Sequence, residues 1–376
     1  MMIGFDAKRA AQNKTGLGNY SRFVIEALTR FAPNERYLLY IPNPNRTSSL
    51  NGIEKANNVE LRYPQTTFWK KFRSLWRVWG ITSDIEKENI RLFHGLSNEL
   101  PLNIRKAENT RSIVTIHDLI FLRYPEYYHY IDRKIYAYKF RKACQNADRI
   151  IAVSECTKRD IISFFHIPEE KIDVVYQGCD AQFKQAVPEN TKEEIRRKYQ
   201  LPQRYILYLG SIESRKNLLL IAKALLHIQE TITVIAIGKR TPYAETVEDF
   251  LRKNHLENRM RLLSNIPFKE LPAFYQMATT FVYPSFFEGF GIPLLEALNS
   301  GVPAIGATGS CLEEAGGPHS IYIHPEDDKG LAKAIEQTLT DQSLRERMIK
   351  EGKKYALLFE EEKLTKDLLN VYRKTI

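Results

Sequence analysis

Glu288 and Glu296 are separated by seven residues in a segment whose residue types suit ligand binding. A predicted strand ends just before it, a glycine-containing loop follows, and a proline and a glycine mark the expected start and end of a helix. Such a loop brings the amides of Phe290, Gly291 and Ile292 to a helix N-terminus, which favours an anionic or oxygen-rich ligand. The two carboxylates would then either cap the helix or accept hydrogen bonds from hydroxyl groups.

A pair of cations, Arg215 and Lys216, follows the first predicted strand of the second half of the chain, in the run Gly-Ser-Ile-Glu-Ser-Arg-Lys-Asn. Cations at a strand-to-helix turn can clamp a diphosphate and stabilise the charge that grows on it as a bond breaks. A solvated basic turn has the same composition. The two residue types alone leave both interpretations open.

The first half of the chain offers weaker signals. Gly16 and Gly18 follow the opening strand and precede a helix, so the backbone there can approach a ligand closely. The full dinucleotide-binding pattern is missing, because Ser21 stands where its third glycine would be. His117, followed by Asp118, closes a predicted strand at an edge where ligands bind, although a lone histidine in such a place is more often structural.

Taken together, these residues resemble glycosyltransferase family 4, whose Glu-Gly-Phe-Gly-x-Pro-x-x-Glu-Ala run is matched in full from Glu288. The resemblance implies that Glu288 contacts the donor sugar, that Glu296 contacts the nucleotide ribose, and that Arg215 and Lys216 clamp the diphosphate. It also implies that His117 contacts the donor sugar near the reaction centre. The same resemblance sets the loop of Gly16 and Gly18 at the donor phosphates and the acceptor.

The matches extend from residue 15 to about residue 315 in the order of the family. Two positions depart from it: Ser211 stands where some relatives have an arginine, and Glu313 stands where the family usually has a proline. For the nucleotide base, we expect contacts from Gly238 and from the loop that ends at Phe268.

The family resemblance implies a retaining hexosyltransferase with the GT-B fold. No Asp-x-Asp occurs where a metal-diphosphate site would be expected, and no acidic pair resembles that of a glycosidase, so we expect no metal and no cofactor. Retention of configuration follows from the resemblance alone. GDP-mannose is the first expectation for the donor and a UDP-sugar the second, with a glycan or lipid-linked acceptor in cell-surface polysaccharide synthesis. A nucleotide-sugar epimerase and a non-catalytic nucleotide-sugar-binding protein remain as alternatives.

These residues must be positioned by two tandem α/β domains. Short apolar runs alternate with amphipathic segments, which predicts two Rossmann-like, doubly wound domains that face each other across a cleft. We predict strands at 2–6, 37–41, 59–63, 91–94, 112–117, 149–154, 173–176, 205–210, 231–238, 260–263, 280–283, 303–305 and 320–323. A polar linker at 181–194 divides an acceptor-side domain (1–185) from a nucleotide-sugar-binding domain (186–358). A last helix (359–376) is expected to pack across both.

All three tryptophans lie in the segment 68–79, where aromatic and basic residues alternate at helical spacing. Trp69, Phe72, Trp76 and Trp79 would form one face, and the bases Lys70, Lys71, Arg73 and Arg77 fill the other positions. This pattern predicts either a core-facing aromatic stripe or a helix that docks on an anionic membrane surface. Because the acceptors of the family are frequently lipid-linked, we favour membrane docking.

The chain has 376 residues and a formal net charge of +10, which indicates an anionic partner. No nucleic-acid-binding motif occurs, so nucleic acid is disfavoured. The N-terminus does not have the pattern of a signal peptide and no apolar run is long enough to span a membrane, so we expect a cytoplasmic protein, peripheral at most. The four cysteines are widely spaced, which indicates reduced structural thiols.

Overall fold

The computed structural model describes residues 1–50 and 52–376. They form two compact units. Unit 1 comprises Met1–Gln177 and Glu360–Ile376, and unit 2 comprises Gly178–Phe359.

Unit 1 is built on a seven-stranded, fully parallel sheet in the order β3-β2-β1-β4-β5-β6-β7. Most of its strand residues are buried, as expected for a parallel sheet covered on both faces. The chain moves outward from β1 to β3 and then returns to pair β4 with β1, which makes the space between β1 and β4 the point where the strand order reverses. The strands are β1 (Met2–Asp6), β2 (Arg36–Tyr40), β3 (Val59–Arg62), β4 (Leu92–Gly95), β5 (Arg111–Ile116), β6 (Arg149–Ala152) and β7 (Ile172–Val174).

The helices of unit 1 cover this sheet. A π-helical turn, Trp76–Gly80, lies between α4 and α5. The α-helices are α1 (Lys8–Gln12), α2 (Gly16–Phe31), α3 (Thr67–Lys71), α4 (Arg73–Leu75), α5 (Ile81–Lys87), α6 (Ile120–Arg123), α7 (Tyr130–Asn146), α8 (Glu155–Phe165) and, from the end of the chain, α17 (Glu361–Thr375).

Unit 2 repeats the plan with a six-stranded parallel sheet in the order β10-β9-β8-β11-β12-β13. Its strand order reverses between β8 and β11. The strands are β8 (Tyr205–Leu209), β9 (Thr233–Ile237), β10 (Met260–Leu263), β11 (Thr280–Tyr283), β12 (Ala304–Ala307) and β13 (Ile321–Ile323). The helices are α9 (Glu189–Tyr199), α10 (Leu218–Ala224), α11 (Tyr243–Lys253), α12 (Leu271–Met277), α13 (Ile292–Ser300), α14 (Leu312–Gly316), α15 (Asp328–Thr340) and α16 (Gln342–Ala356).

The boundary between the units falls earlier in the chain than the sequence predicts. Unit 2 begins at Gly178 rather than at residue 186, because the ring of Phe183 is buried against Tyr275 and Phe268, at centroid distances of 5.5 and 5.8 Å. The predicted linker is also shorter than expected, since α9 already begins at Glu189. Its polar composition reflects an exposed helix rather than a flexible connection.

The last helix, α17, belongs to unit 1 although all of unit 2 precedes it. Its apolar face is buried, and the Tyr372 hydroxyl lies 2.7 Å from His94 Nδ1 in the core of unit 1. At its ends, Glu361 pairs with Arg30 at 2.7 Å, and Lys374 pairs with Asp173 at 3.1 Å.

Candidate functional site

The predicted residues of unit 2 converge where its strand order reverses. The loop after β8 carries Arg215 and Lys216, and the loop after β11 carries Glu288. Strands β8 and β11 are neighbours in the sheet, so both loops leave its carboxyl edge side by side. Ligands of open parallel sheets bind at this position.

Glu288 lies among two cations and two hydroxyl groups. Its Oε1 atom is 3.0 Å from Arg215 Nη1 and 3.9 Å from Lys216 Nζ. The hydroxyls of Tyr283 and Ser285 each donate a hydrogen bond to the same oxygen, at 2.8 Å. Burial by itself would favour the neutral carboxyl, but the cations and hydroxyls outweigh it and hold the pKa of Glu288 at about 2. Glu288 is therefore an anion at neutral pH.

Arg215 joins the two loops. Its guanidinium donates to the carbonyl oxygen of Phe287 and, at 2.9 Å, to Glu213 Oε1. Burial disfavours its charge, yet Glu288 more than offsets this and the pKa of Arg215 is raised. Lys216 Nζ also donates to the Tyr283 hydroxyl at 3.1 Å. The two cations are therefore fixed in place by neighbours on both loops.

Several residues of this cluster are not identified by sequence reasoning. Asn217 is buried and in the left-handed conformation, and its Nδ2 donates to the carbonyls of Pro284 and Pro325 at 3.0 and 2.7 Å. It stands inside the predicted Arg-Lys-Asn run, so the signal was present. Tyr283 and Ser285 also flank the predicted loop, but nothing in their type marks them as partners of Glu288.

Helix α13 begins at Ile292 and has Pro293 in its first turn, as predicted. Gly291 has φ of +123°, and a Cβ atom there would come within 2.9 Å of the Leu312 side chain, so both its conformation and its surroundings require glycine. The side chain of Phe290 is buried against Phe359. Phe290 can therefore contribute only its backbone to a ligand site.

Glu296 lies on α13 and is almost fully buried. The Tyr275 hydroxyl donates to its Oε2 atom at 2.9 Å. Burial raises the pKa of Glu296 to about 8, and the nearby negative charge of Asp180 adds to the rise. With a pKa of about 8, Glu296 is mostly protonated at pH 7, unlike Glu288. Tyr275 is 21 residues away in the chain, and no sequence signal pointed to it.

The two residues predicted to contact the base are placed differently. Gly238 follows β9, next to β8, and a Cβ atom on it would lie 1.8 Å from the Gly210 carbonyl oxygen. Gly238 is thus required for the close passage of two loops at the sheet edge. Phe268 is 46% exposed, with its ring edge against Phe183. Its exposed face is available for stacking.

In unit 1, His117 follows β5 and is buried. Its Nε2 lies 2.9 Å from the Leu96 carbonyl oxygen, which can only accept, so the neutral ring carries its proton on Nε2 and leaves Nδ1 as a hydrogen-bond acceptor. The edge-to-face contact with the Tyr20 ring, at 4.6 Å, fixes the orientation of the imidazole. Burial lowers the pKa of His117 to about 4, so the ring is neutral at pH 7.

Gly16 and Gly18 lie in the first turn of α2 rather than in a loop, because the helix starts at Gly16. A Cβ atom on Gly18 would lie 1.9 Å from the carbonyl oxygen of Asn13, whereas one on Gly16 would meet no atom within 4 Å. Gly18 therefore serves close packing of the preceding turn. Gly16 is exposed at the helix N-terminus, where an anion would be stabilised.

The aromatic–basic segment 68–79 is not one regular helix, and its predicted faces are wrong. Trp76 is fully buried and its indole N–H donates to Asp84 at 2.7 Å. The side chain of Arg77 is only 11% exposed, because it pairs with Asp6 and Glu99, both at 2.6 Å. A π-helical turn, Trp76–Gly80, lies at the end of this segment. The exposed apolar side chains are instead Phe68, Phe72, Leu75 and Trp79.

Within residues 1–50 and 52–376, no three His, Cys, Asp or Glu side chains are grouped closely enough to hold a metal ion. In the same residues no helix is both long and apolar enough to cross a membrane.

The cluster in unit 2 can therefore hold an oxygen-rich ligand that carries both negative charge and hydroxyl groups. Arg215 and Lys216 supply positive charge for phosphate oxygens. Glu288, an anion with acceptor capacity, and Glu296 are suited to hydroxyl groups.

Two family models match the chain. Residues 191–355 match the model described as "Glycosyl transferases group 1", and residues 23–183 match the model described as "Glycosyltransferase Family 4". These ranges correspond to unit 2 and unit 1, respectively, and leave only short segments unmatched.

Two curated relatives are similar to this chain. The O-antigen chain mannosyltransferase B of Escherichia coli is 32% identical over 392 residues, which cover 99% of this chain and 100% of the relative. The O-antigen chain mannosyltransferase RfbU of Salmonella typhimurium is 26% identical over 222 residues, or 59% of each chain.

Among solved structures, the chain is similar in fold to HepE of Anabaena in complex with UDP and glucose. The TM-score is 0.76 at 16% identity, and the match covers 99% of each chain. At that identity the likeness shows the fold alone, which is the GT-B arrangement of two Rossmann-like domains. The predicted α/β fold class is confirmed.

Proposed function

The chain belongs to glycosyltransferase family 4, and from that premise we propose that it transfers mannose from GDP-mannose, with retention and without a metal, to a glycan or lipid-linked acceptor. The observation that carries the proposal is the convergence of Arg215 and Lys216 on Glu288 where the strand order of unit 2 reverses. This cluster combines the charges needed for a diphosphate with an acceptor for sugar hydroxyls.

In the proposed reaction, the bond between the anomeric carbon and the diphosphate oxygen breaks while the acceptor oxygen bonds to the same carbon. The proton of the acceptor hydroxyl passes to the leaving diphosphate. Arg215 and Lys216 stabilise the negative charge that develops on the diphosphate, and they need no reorganisation because neighbouring groups already fix them. The acceptor attacks on the face that the diphosphate leaves, so configuration is retained.

The other predicted residues orient the donor. Glu288 accepts hydrogen bonds from the transferred sugar, and Glu296 accepts them from the ribose diol. His117 is a neutral acceptor at Nδ1 and therefore binds a hydroxyl of the sugar rather than acting as an acid. The amides at the start of α13 supply further donors to the phosphates, and Phe268 and Gly238 border the base.

The choice of GDP-mannose rests on the full-length similarity to an O-antigen mannosyltransferase. A UDP-sugar is the second candidate, since the structural neighbour HepE was solved with UDP and glucose. The O-antigen relatives support a role in cell-surface polysaccharide synthesis. For the location, we propose the cytoplasm, with peripheral attachment to the membrane that carries the acceptor.

A panel of nucleoside diphosphates tests the donor. GDP is expected to raise the melting temperature in proportion to ln(1 + [L]/Kd), and UDP and ADP to raise it less. If UDP stabilises the protein more than GDP, the donor is a UDP-sugar and the mannose assignment is wrong. If no nucleotide shifts the transition, the nucleotide-sugar site itself is wrong.

Transfer is then measured as GDP release from GDP-mannose with and without a mannan-type acceptor, in buffer containing EDTA. Lys216→Met should lower kcat/KM about 100- to 1000-fold, the usual cost of losing one transition-state charge contact. Lys223→Met, on the exposed side of the next helix, is the matched control and should be nearly neutral. Conversion of GDP-mannose to another nucleotide-sugar, without an acceptor and without GDP release, would indicate an epimerase, and loss of activity in EDTA would refute metal independence.

A further inference from the structure

Exposed apolar side chains are concentrated in two short segments of unit 1. Among the described residues, sixteen large hydrophobic side chains are exposed, and nine of them lie in these segments. Monomeric proteins seldom expose such groups together, so the concentration indicates a contact surface. The nine are Phe68, Phe72, Leu75 and Trp79 in the first segment, and Tyr130, Ile131, Ile135, Tyr136 and Tyr138 on α7.

The positive charge of the chain is concentrated in the same two segments. Residues 66–80 contain four lysines and arginines and no acidic residue, and α7 contains five with a single aspartate. Their combined formal charge is +8, and +7 remains when Arg77, which is buried and paired with Asp6 and Glu99, is left out. The rest of the chain has a formal net charge of only +2, so most of the net positive charge lies on these two segments.

Both segments pack on the same face of the unit 1 sheet. The connections from β3 to β4 and from β5 to β6 run in the same direction across the sheet, and right-handed crossovers place such connections on one face. The core agrees with this, since Trp76 from the first segment shares one cluster of buried residues with Phe140 and Ala143 of α7.

A carboxylate links the two segments directly. Glu99 pairs with Arg77 at 2.6 Å and with Lys139 of α7 at 3.6 Å. Arg77 also pairs with Asp6, at the carboxyl end of β1, so the linked segments are attached to the ligand-binding edge of the sheet.

Helix α7 presents a mixed face to solvent. Ile131, Ile135 and Tyr138 recur at spacings of four, three and seven and are 70%, 45% and 56% exposed, and Tyr130, next to Ile131, is 65% exposed. Lys134 and Arg133 lie over the Tyr130 ring, at 5.4 and 5.7 Å from its centroid. The opposite face carries the buried residues Phe140, Ala143 and Cys144.

We propose that α7 and the segment 68–79 together form a single surface that docks on an anionic lipid bilayer. Aromatic and aliphatic side chains on this surface enter the headgroup region, while lysines and arginines contact lipid phosphates. The absence of acidic residues from 66–80 and the single one on α7 fit an anionic bilayer better than a protein surface of mixed charge.

The docking proposal extends the proposed function, and it rests on that function only for the lipid-linked acceptor. Docking through residues attached to the carboxyl edge of the sheet would hold that edge at the membrane, where such an acceptor lies. Binding to lipid itself does not depend on catalysis.

Cosedimentation with vesicles of phosphatidylglycerol and phosphatidylcholine tests the surface. The triple change Lys134→Gln, Arg141→Gln, Lys142→Gln should weaken binding at low salt by about 100-fold, at roughly 1 kcal/mol per basic residue. The double change Ile131→Gln, Ile135→Gln should weaken it about tenfold or more through lost apolar contact.

Matched control variants carry the same changes on exposed positions of unit 2. Arg347→Gln, Lys350→Gln, Lys354→Gln controls for charge, and Leu357→Gln, Leu358→Gln controls for apolar exposure. Both should bind vesicles as the unchanged protein does. All altered side chains are exposed, and unchanged melting temperatures will verify that the variants fold.

Wild-type binding of the α7 variants would overturn the proposal, as would equal binding of the unchanged protein to pure phosphatidylcholine. A concentration-dependent dimer that the α7 variants abolish would show that the surface contacts a second copy of the chain instead. The GDP-induced thermal shift is measured on the same variants. If the unchanged protein shows the GDP-induced shift but does not bind vesicles, the docking proposal alone fails. If it binds vesicles but shows no GDP-induced shift, the nucleotide-sugar proposal alone fails.

Discussion

Glu288 and Glu296 are the same residue type on one loop and helix, yet their surroundings drive their pKa values apart. Glu288 has Arg215 and Lys216 within 4 Å, and its pKa is about 2. Glu296 accepts a hydrogen bond from the Tyr275 hydroxyl, and burial raises its pKa to about 8. At neutral pH Glu288 is therefore an anion, whereas Glu296 without a bound ligand is mostly protonated.

This difference predicts a pH dependence of nucleotide binding. If ribose hydroxyls donate to the Glu296 carboxylate, binding requires its deprotonation, so affinity should rise with pH by about tenfold per unit below pH 8 and level off above it. Calorimetric titration with GDP from pH 6 to pH 9 measures the effect. Phosphate ionisation also contributes near pH 6, so the comparison must use a variant.

Glu296→Gln supplies that comparison, because it keeps an acceptor oxygen and cannot ionise. Between pH 7 and pH 8, the affinity of the variant for GDP should not depend on pH. In the same range, the affinity of the unchanged protein for 2′,3′-dideoxy-GDP should not depend on pH either. An identical pH profile for Glu296→Gln and the unchanged protein would contradict the role of Glu296.

The folded-state pKa of Glu296 also affects stability. Because it is raised above the unfolded value near 4.5, its contribution to the free energy of unfolding is complete below pH 4.5 and decreases as pH rises to about 8. A carboxyl retained at this cost is consistent with a role in ligand binding.

At the scale of elements, the two glycines in the first turn of α2 have different surroundings. Gly18→Ala should destabilise unit 1 by about 2–3 kcal/mol, because the new Cβ would overlap the Asn13 carbonyl oxygen and force the backbone apart. Gly16→Ala, two residues away, meets open space and should be neutral or stabilising by up to about 1 kcal/mol. Denaturant unfolding of both variants measures the difference. Equal stability of the two would contradict the packing described for Gly18.

Most secondary structure could be predicted because the strands of a parallel sheet are short apolar runs with clear ends. All thirteen predicted strands are present in the described residues, with their ends shifted by a few residues. The faces of the segment 68–79 could not be predicted, because helical spacing alone does not show which aromatic residues face the core: Trp76 is buried, whereas Phe72 and Trp79 are exposed. The burial of Arg77 depends on Asp6 and Glu99, which are distant in sequence.

The candidate site, too, could be predicted from local sequence patterns but not from contacts between distant segments. The sequence places Arg215, Lys216 and Glu288 on loops that follow strands of one domain, but that β8 and β11 are neighbours is shown by the structure. The role of Tyr275 depends on a contact between distant segments, which no local pattern encodes. The exposed face of α7 was also missed, since its apolar residues are interrupted by lysines and arginines.

At the scale of the whole molecule, α17 completes the core of unit 1. Removing residues 360–376 should uncover α2, against which α17 packs, and leave His94 Nδ1 on β4 without its hydroxyl partner. We expect the melting temperature of unit 1 to fall and amide protection in α2 and β4 to decrease, while the amides of unit 2 exchange as they do in the full chain. Hydrogen exchange resolves the two units.

Tyr372→Phe is the milder form of the same experiment. It removes one hydroxyl from a buried pair and should cost about 1–3 kcal/mol, because His94 loses a hydrogen-bond partner where water cannot replace it. Lys374→Ala, which removes only a surface ion pair of the same helix, should cost less than about 1 kcal/mol. If the truncation leaves protection in β4 unchanged, α17 does not contribute to unit 1 as described.

The late position of α17 also affects the order of events during synthesis on the ribosome. Unit 1 cannot close its core when its first 177 residues have emerged, since Tyr372 is not yet translated. At about 5–20 residues per second, the whole of unit 2 takes roughly 10–40 s to follow. During this interval unit 2 can finish folding while the nascent first half waits with an incomplete core. The first half is therefore the part of the chain on which chaperones have the longest time to act.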